Sequence, residues 1–136
     1  MKQIETVNAE KSKYAVYLAR AEQNLDGAED DFAKNRYDRC ASSAVHCAIS
    51  AADAVCIFKL GLRLKSKDHS RTVDLLRRLS SIEKDELETN ARRLDRLISV
   101  KTDAEYGDHL IKRDAAEKAL LDARRFFEFA KSVLSC

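Results

Sequence analysis

The chain is 136 residues long, 45% hydrophobic and 35% charged, with three Gly, no Pro and no Trp. That length suits a single domain over residues 1–136, and so few turn residues exclude a turn-rich all-β fold, collagen and low-complexity linkers. The net charge of +2 is nearly neutral. No run of about 18 apolar residues occurs, and the opening stretch has no apolar core, so neither a membrane span nor a secretory leader is expected.

In chain order, Tyr14, Leu18, Ala21, Leu25, Ala28 and Phe32 step by three or four, which predicts an amphipathic helix over about residues 9–34 with Asn8 as its N-cap. A second helix is expected over about 36–60, capped by Asn35 and stopped by Gly61. Tyr37, Ala41, Ala44, Ala48, Ala51, Val55 and Phe58 keep the same stepping, and Cys40, Val45, Cys47, Ile49 and Cys56 widen the apolar face. A helix apolar around most of its circumference belongs at the centre of a fold. Residues 62–68 read as a basic connector, and 69–79 as a short helix carrying Val73, Leu75, Leu76 and Leu79. Ser80 with Glu83 has capping-box spacing and starts a helix seamed by Leu87, Ala91, Leu94 and Ile98 to about residue 101. Gly107 punctuates the chain, and a last helix is expected over about 111–135. No stretch reads as a strand. The expected fold is all-α, an antiparallel up-down four-helix bundle with one additional short helix.

Cys40, Cys47 and Cys56 fall in the second helix, and Cys136 ends the chain. Cys40 and Cys47 lie about 10 Å apart along a helix axis, too far to bridge. Without a Cys-x-x-Cys pair, zinc-finger spacing is absent. Small buried hydrophobes in a reducing cytoplasm fit these thiols.

Three features bear on chemistry. Residues 59–79 hold Lys59, Arg63, Lys65, Lys67, Arg71, Arg77 and Arg78 against Asp68 and Asp74. Such a patch attracts phosphate or an acidic partner, although a solvated connector has the same composition. On the second helix Arg39, Ser42 or Ser43, His46, Ser50 and Asp53 form a polar stripe. One reading is a groove or dimer seam where Asp53 and Arg39 orient His46 as an acid/base; the other is an ordinary solvent-facing edge, or hydrogen bonds satisfied within the bundle. Paired Glu-x-x-His ligands, a Gly-rich phosphate loop and a Gly-x-Ser-x-Gly elbow are all missing, so no metal and no cofactor is expected.

Several segments together resemble the HEPN superfamily. The stretch YLARAEQNLDGAEDDFAKNRYDRCASSAVHCAISAADAV resembles the opening hairpin, with Asn35-Arg36-Tyr37 at an Asn-x-Tyr-like start of the second helix. The segment Lys65-Ser66-Lys67-Asp68-His69-Ser70 resembles a Lys-Ser-His loop, with Lys67 and Asp68 inserted or substituted. Lys101-Thr102-Asp103-Ala104-Glu105-Tyr106-Gly107 resembles an Arg-x-x-Ala-Asp-Tyr-Gly signature, and AAEKALLDARRFFEFAKSVL the closing helix. The resemblance covers nearly the whole chain.

It implies a helical bundle that commonly dimerises, often as a toxin of a toxin–antitoxin pair beside a small nucleotidyltransferase-like partner. Catalytic members are metal-independent ribonucleases carrying Arg, four to six residues, then His; the Arg stabilises the phosphorane and the His moves the 2′-hydroxyl proton. Here the matching stretch offers Lys101, four residues, then Tyr106. Lys is a point charge without a planar fork, and Tyr, with a pKa of about 10, is a poor base at neutral pH. Arg39 and His46 have a fitting spacing on the wrong helix.

The reading is therefore a non-catalytic module binding a nucleotide, RNA or a partner protein in the cytoplasm. Lys101, Tyr106 and His109 come first as ligand-binding residues, then His69, Arg71 and Arg63. The alternatives are a divergent ribonuclease using His46 or His109, and a purely structural or antitoxin-type partner.

Overall fold

A computed structural model describes residues 4–65 and 69–135. Its elements are β1 (Thr6–Asn8), a 3-10 turn (Lys11–Lys13), α1 (Tyr14–Ala33), α2 (Tyr37–Leu60), β2 (Leu62–Leu64), α3 (Ser70–Leu76), α4 (Lys84–Tyr106) and α5 (Arg113–Leu134). Four long helices and one short one form the expected all-α bundle.

The helix α2 is its axis. It buries residues on all but one strip, among them Cys40, Ala44, Val45, Cys47, Ala48, Ala51, Val55, Cys56 and Ile57. Alanine has no side chain beyond Cβ, so α1, α4 and α5 approach α2 closely, and Phe126, Leu94, Leu97 and Leu76 fill the remaining space. By length and apolarity α2 alone among the described helices would suffice to cross a membrane, with a mean hydropathy of 1.5 over its best window. Its apolar surface is instead mostly covered by its neighbours.

Polar contacts fix how the helices face each other. Arg96 of α4 donates both Nε and Nη2 to the Asp122 carboxylate of α5, at 3.1 and 3.0 Å. Asp122 is buried, and the fork-on-carboxylate geometry compensates its lost hydration. Arg77, just past α3, holds Glu88 of α4 in the same way, at 2.9 and 3.2 Å.

The ends of the elements depart from the sequence expectations. Asn8 is not the N-cap of α1; it closes β1, which pairs antiparallel with β2 in the register Thr6↔Leu64, Val7↔Arg63, Asn8↔Leu62. Strands of three residues carry too little alternation to show as a pattern. The connector at 62–68 thus begins as a strand, and its residues 66–68 lie outside those described. Asn35 is not the N-cap of α2. It takes φ +62° and closes a two-bond stop on α1, with Arg36 N–H donating to Asp31 O and Asn35 N–H to Phe32 O. Gly61 ends α2 at φ +68°, as its sequence position predicts. The helix at 69–79 is shorter than expected, Ser70–Leu76. Glu83 itself caps α4, in place of the Ser80 box, by accepting from the backbone N–H of Asp85 and Glu86. The helix α4 continues beyond residue 101 to Tyr106.

Candidate nucleic-acid interface

The up-down path sorts the candidate residues between two ends of the bundle. At one end, the C-terminus of α4 and the start of α5 meet the start of α2: Ile111 N–H donates to Asp38 Oδ1 at 2.6 Å, and the Cys40 thiol lies 3.9 Å from Ala116 O. At the other end lie Gly61, β2, α3 and the start of α4. The 24 residues of α2 separate the two ends by about 36 Å at 1.5 Å per residue. Lys101, Tyr106 and His109 belong to the first end, and Arg63, His69 and Arg71 to the second. A single chain does not bring the two groups together.

At the first end, Lys101 is half-buried on α4 and Tyr106 is 80% exposed. Five residues on a helix turn through about 140°, so these two side chains leave α4 in different directions. His109 follows α4, with Nε2 3.5 Å from Asp103 Oδ2 and Nδ1 3.6 Å from Asp108 Oδ1. Gly107 allows this turn: a Cβ there would sit 2.5 Å from Asp103 O. The Asp103–His109 pairing was missed from sequence because nothing at a six-residue separation marks it.

At the second end, the basic run divides by what each cation meets. Arg71 lies 3.5 Å from Asp74, and Arg77 is held by Glu88. Lys59 lies over the Phe58 ring. Arg63 donates through Nη1 to Leu64 O at 3.1 Å and also faces Asp53 electrostatically. Lys65 and Arg78 are exposed and make no ion pair among the described residues. His69, half-buried, directly precedes α3, and Lys67 lies outside the described residues.

The polar stripe of α2 does not assemble around His46. Arg39 turns to Asp31, at 4.0 Å. Asp53 faces Arg63, and seven residues of helix, about 10 Å of rise, keep it from His46. The His46 side chain is exposed and meets no hydrogen-bonding partner among the described residues. Asp53 is nonetheless perturbed: burial pushes its carboxyl up to about 6, against the opposing pull of Arg63. The buried thiols are perturbed further. Burial first, then the Asp31 carboxylate, pushes Cys40 up to about 11, and burial pushes Cys47 and Cys56 up to about 12. Protonated thiols of this kind act as packing groups, as their sequence setting predicts. Cys136 lies outside the described residues.

A surface groove of about 800 Å³ between α4 and α5 holds none of the sequence candidates. It mixes Arg93, Arg124 and Arg125 with Glu83, Asp85, Glu86 and Glu128, and so concentrates no positive charge. Among the described residues no cluster of three or more His, Cys, Asp or Glu has metal-binding geometry.

Three comparisons bear on this arrangement. The family model described as HEPN domain matches residues 14–133. A UPF0332 protein of Archaeoglobus fulgidus is 28% identical over 122 residues, covering 87% of this chain and 92% of that protein. The crystal structure of TT1696 from Thermus thermophilus superposes with a TM-score of 0.69 at 22% identity, covering 89% of this chain and 98% of the other. That likeness speaks for the fold, and the family match reaches from the first residue of α1 almost to the end of α5. The chain belongs to the HEPN domain family.

Proposed function

We propose that this chain is a non-catalytic module that binds RNA or a nucleotide, acting as a homodimer in the manner the family resemblance implies. The observation that carries the reading is the rim of α4. Its Lys101 and the 80% exposed Tyr106 stand where the ribonuclease signature has Arg and His, and they diverge around the helix. A cation and a base that do not converge cannot serve one phosphodiester, whereas a divergent Lys and Tyr still suit binding to phosphate and base. At the opposite end, Lys65 and Arg78 supply further positive charge.

The test is binding of a 20-nucleotide single-stranded RNA by the full chain at 50 and 200 mM salt, with the same RNA incubated in EDTA. The expected result is salt-sensitive binding, weakened by Lys65→Ala with Arg78→Ala, with the RNA left intact and a dimeric mass in sedimentation. No salt-sensitive binding sinks the reading. It favours instead an antitoxin-type protein whose partner is another polypeptide.

One observation supports a second reading, a divergent ribonuclease. The Asp103 carboxylate beside His109 Nε2 is an arrangement that orients an imidazole as a base. Cleavage in EDTA that disappears in His109→Ala but persists in His46→Ala would establish it.

A further inference from the structure

At the second end, beside Arg63 and apart from the Lys101–His109 rim, the β1–β2 ladder and the start of α1 enclose a cleft of about 430 Å³. Lys13, Tyr17 and Arg20 recur on one face of the 3-10 turn and α1, four and three residues apart. The ladder sets Val7 opposite Arg63, and so brings that residue to the same cleft from 43 residues along the chain. Three cations therefore line it against one carboxylate, Glu10. Lys13 and Arg20 make no ion pair among the described residues.

The cleft is also built for a flat group. The Arg20 guanidinium lies over the Tyr17 ring, 5.1 Å from its centroid. Stacking restrains a side chain that otherwise loses much rotamer freedom on binding, and it leaves the N–H edge of the fork available to phosphate oxygens. Val16, 46% exposed, adds apolar surface beside it. Glu10 repels phosphate, but its carboxylate is a suitable acceptor for a ribose hydroxyl, the use a carboxylate has in dinucleotide sites. Cations for phosphate, a restrained planar platform and a hydroxyl acceptor together match one ligand chemistry.

We propose that this cleft binds a nucleotide, with Lys13, Arg20 and Arg63 on the phosphate and the Arg20–Tyr17 stack beside the base. The proposal rests on the nucleotide- or RNA-binding reading and places it at residues outside the Lys101–His109 rim. Free nucleotide and a nucleotide within RNA share this chemistry, and the experiment separates them.

The full chain is titrated calorimetrically with AMP, inorganic phosphate and a 12-nucleotide single-stranded RNA. The variants are Lys13→Ala with Arg20→Ala, Arg20→Lys, and a control, Arg92→Ala, whose side chain is exposed on α4 beside Glu88. Both Lys13 and Arg20 are exposed, so the fold is expected to survive their loss, which circular dichroism checks. The expected result is that the double variant binds its ligand at least tenfold more weakly and that its salt slope for RNA falls by about 1.4. Arg20→Lys, keeping charge but losing the planar fork, should lose part of the affinity, and Arg92→Ala none. AMP binding tighter than phosphate identifies free nucleotide as the ligand. RNA binding without AMP binding, still lost in the double variant, identifies RNA. RNA or AMP bound equally by wild type and double variant overturns the cleft and leaves the broader reading standing. A wild-type chain that binds none of the probes overturns both.

Discussion

Asp53 is held half-buried on α2 with its carboxyl raised from 3.8 to about 6, mainly by burial. An unfolded chain releases this proton near the lower value and the folded chain near the higher one. Between them the folded state binds more protons, so this group's contribution is most favourable below about pH 4 and is lost as pH rises to 6. Above 6 the ionised carboxylate is a constant cost of roughly 2–3 kcal/mol at 1.36 kcal/mol per pKa unit, in which the attraction to Arg63 is already counted. Asp53→Asn is therefore expected to raise stability by about 1–3 kcal/mol at pH 7.5 and to change it little at pH 4, measured by urea unfolding at both. Equal effects at the two pH values would show that packing, and not ionisation, governs this position. His46 finds no acidic orienter in Asp53, because seven residues of helix, about 10 Å of rise, separate the two.

The turn between α1 and α2 shows which parts of an element a sequence carries. The bodies of the two helices were legible, because apolar residues at three- and four-residue steps admit one geometry. Their junction was not, because asparagine suits both the start of a helix, through its side chain, and the end of one, through its tolerance of positive φ. The structure uses the second property: Asn35 sits at φ +62° and its Oδ1 accepts from the Tyr37 hydroxyl at 2.8 Å. This fixes the angle at which α1 enters α2, and the Arg36–Asp31 contact at 2.7 Å fastens it. Asn35→Ala, which places an ordinary Cβ in left-handed backbone, is expected to cost about 1 kcal/mol, and Asn35→Gly no more than about half of that, by thermal unfolding. An alanine variant as stable as wild type would mean that the turn relaxes to a different path. The same ambiguity hid the cap of α4, where Ser80 has the right spacing but Glu83 does the capping.

Across the whole molecule, individual charges were legible in the sequence but their neighbours were not. Arg77 meets Glu88 eleven residues on, and Arg96 meets Asp122 twenty-six residues on, pairings that only packed helices create. Conversely, an up-down bundle obliges a run that follows α2 and a rim that ends α4 to lie at opposite ends, about 36 Å apart. The breadth of the apolar face of α2 is accounted for by three neighbouring helices within one chain. The rigid length of the bundle then acts as a ruler on any RNA it binds. At about 3.4 Å per stacked nucleotide, roughly ten nucleotides span the distance between the ends. A six-nucleotide RNA reaches one end only, and it should favour the one where Lys65, Arg78 and the Lys13–Arg20 cleft supply charge. Tyr106→Ala should therefore leave a 6-mer bound within twofold of wild type while weakening a 20-mer fivefold or more, since one stacked base contributes about 1–3 kcal/mol. Fluorescence anisotropy with both lengths measures this. A 6-mer that loses as much as the 20-mer would place the short ligand at the α4 rim and remove the separation of roles between the two ends.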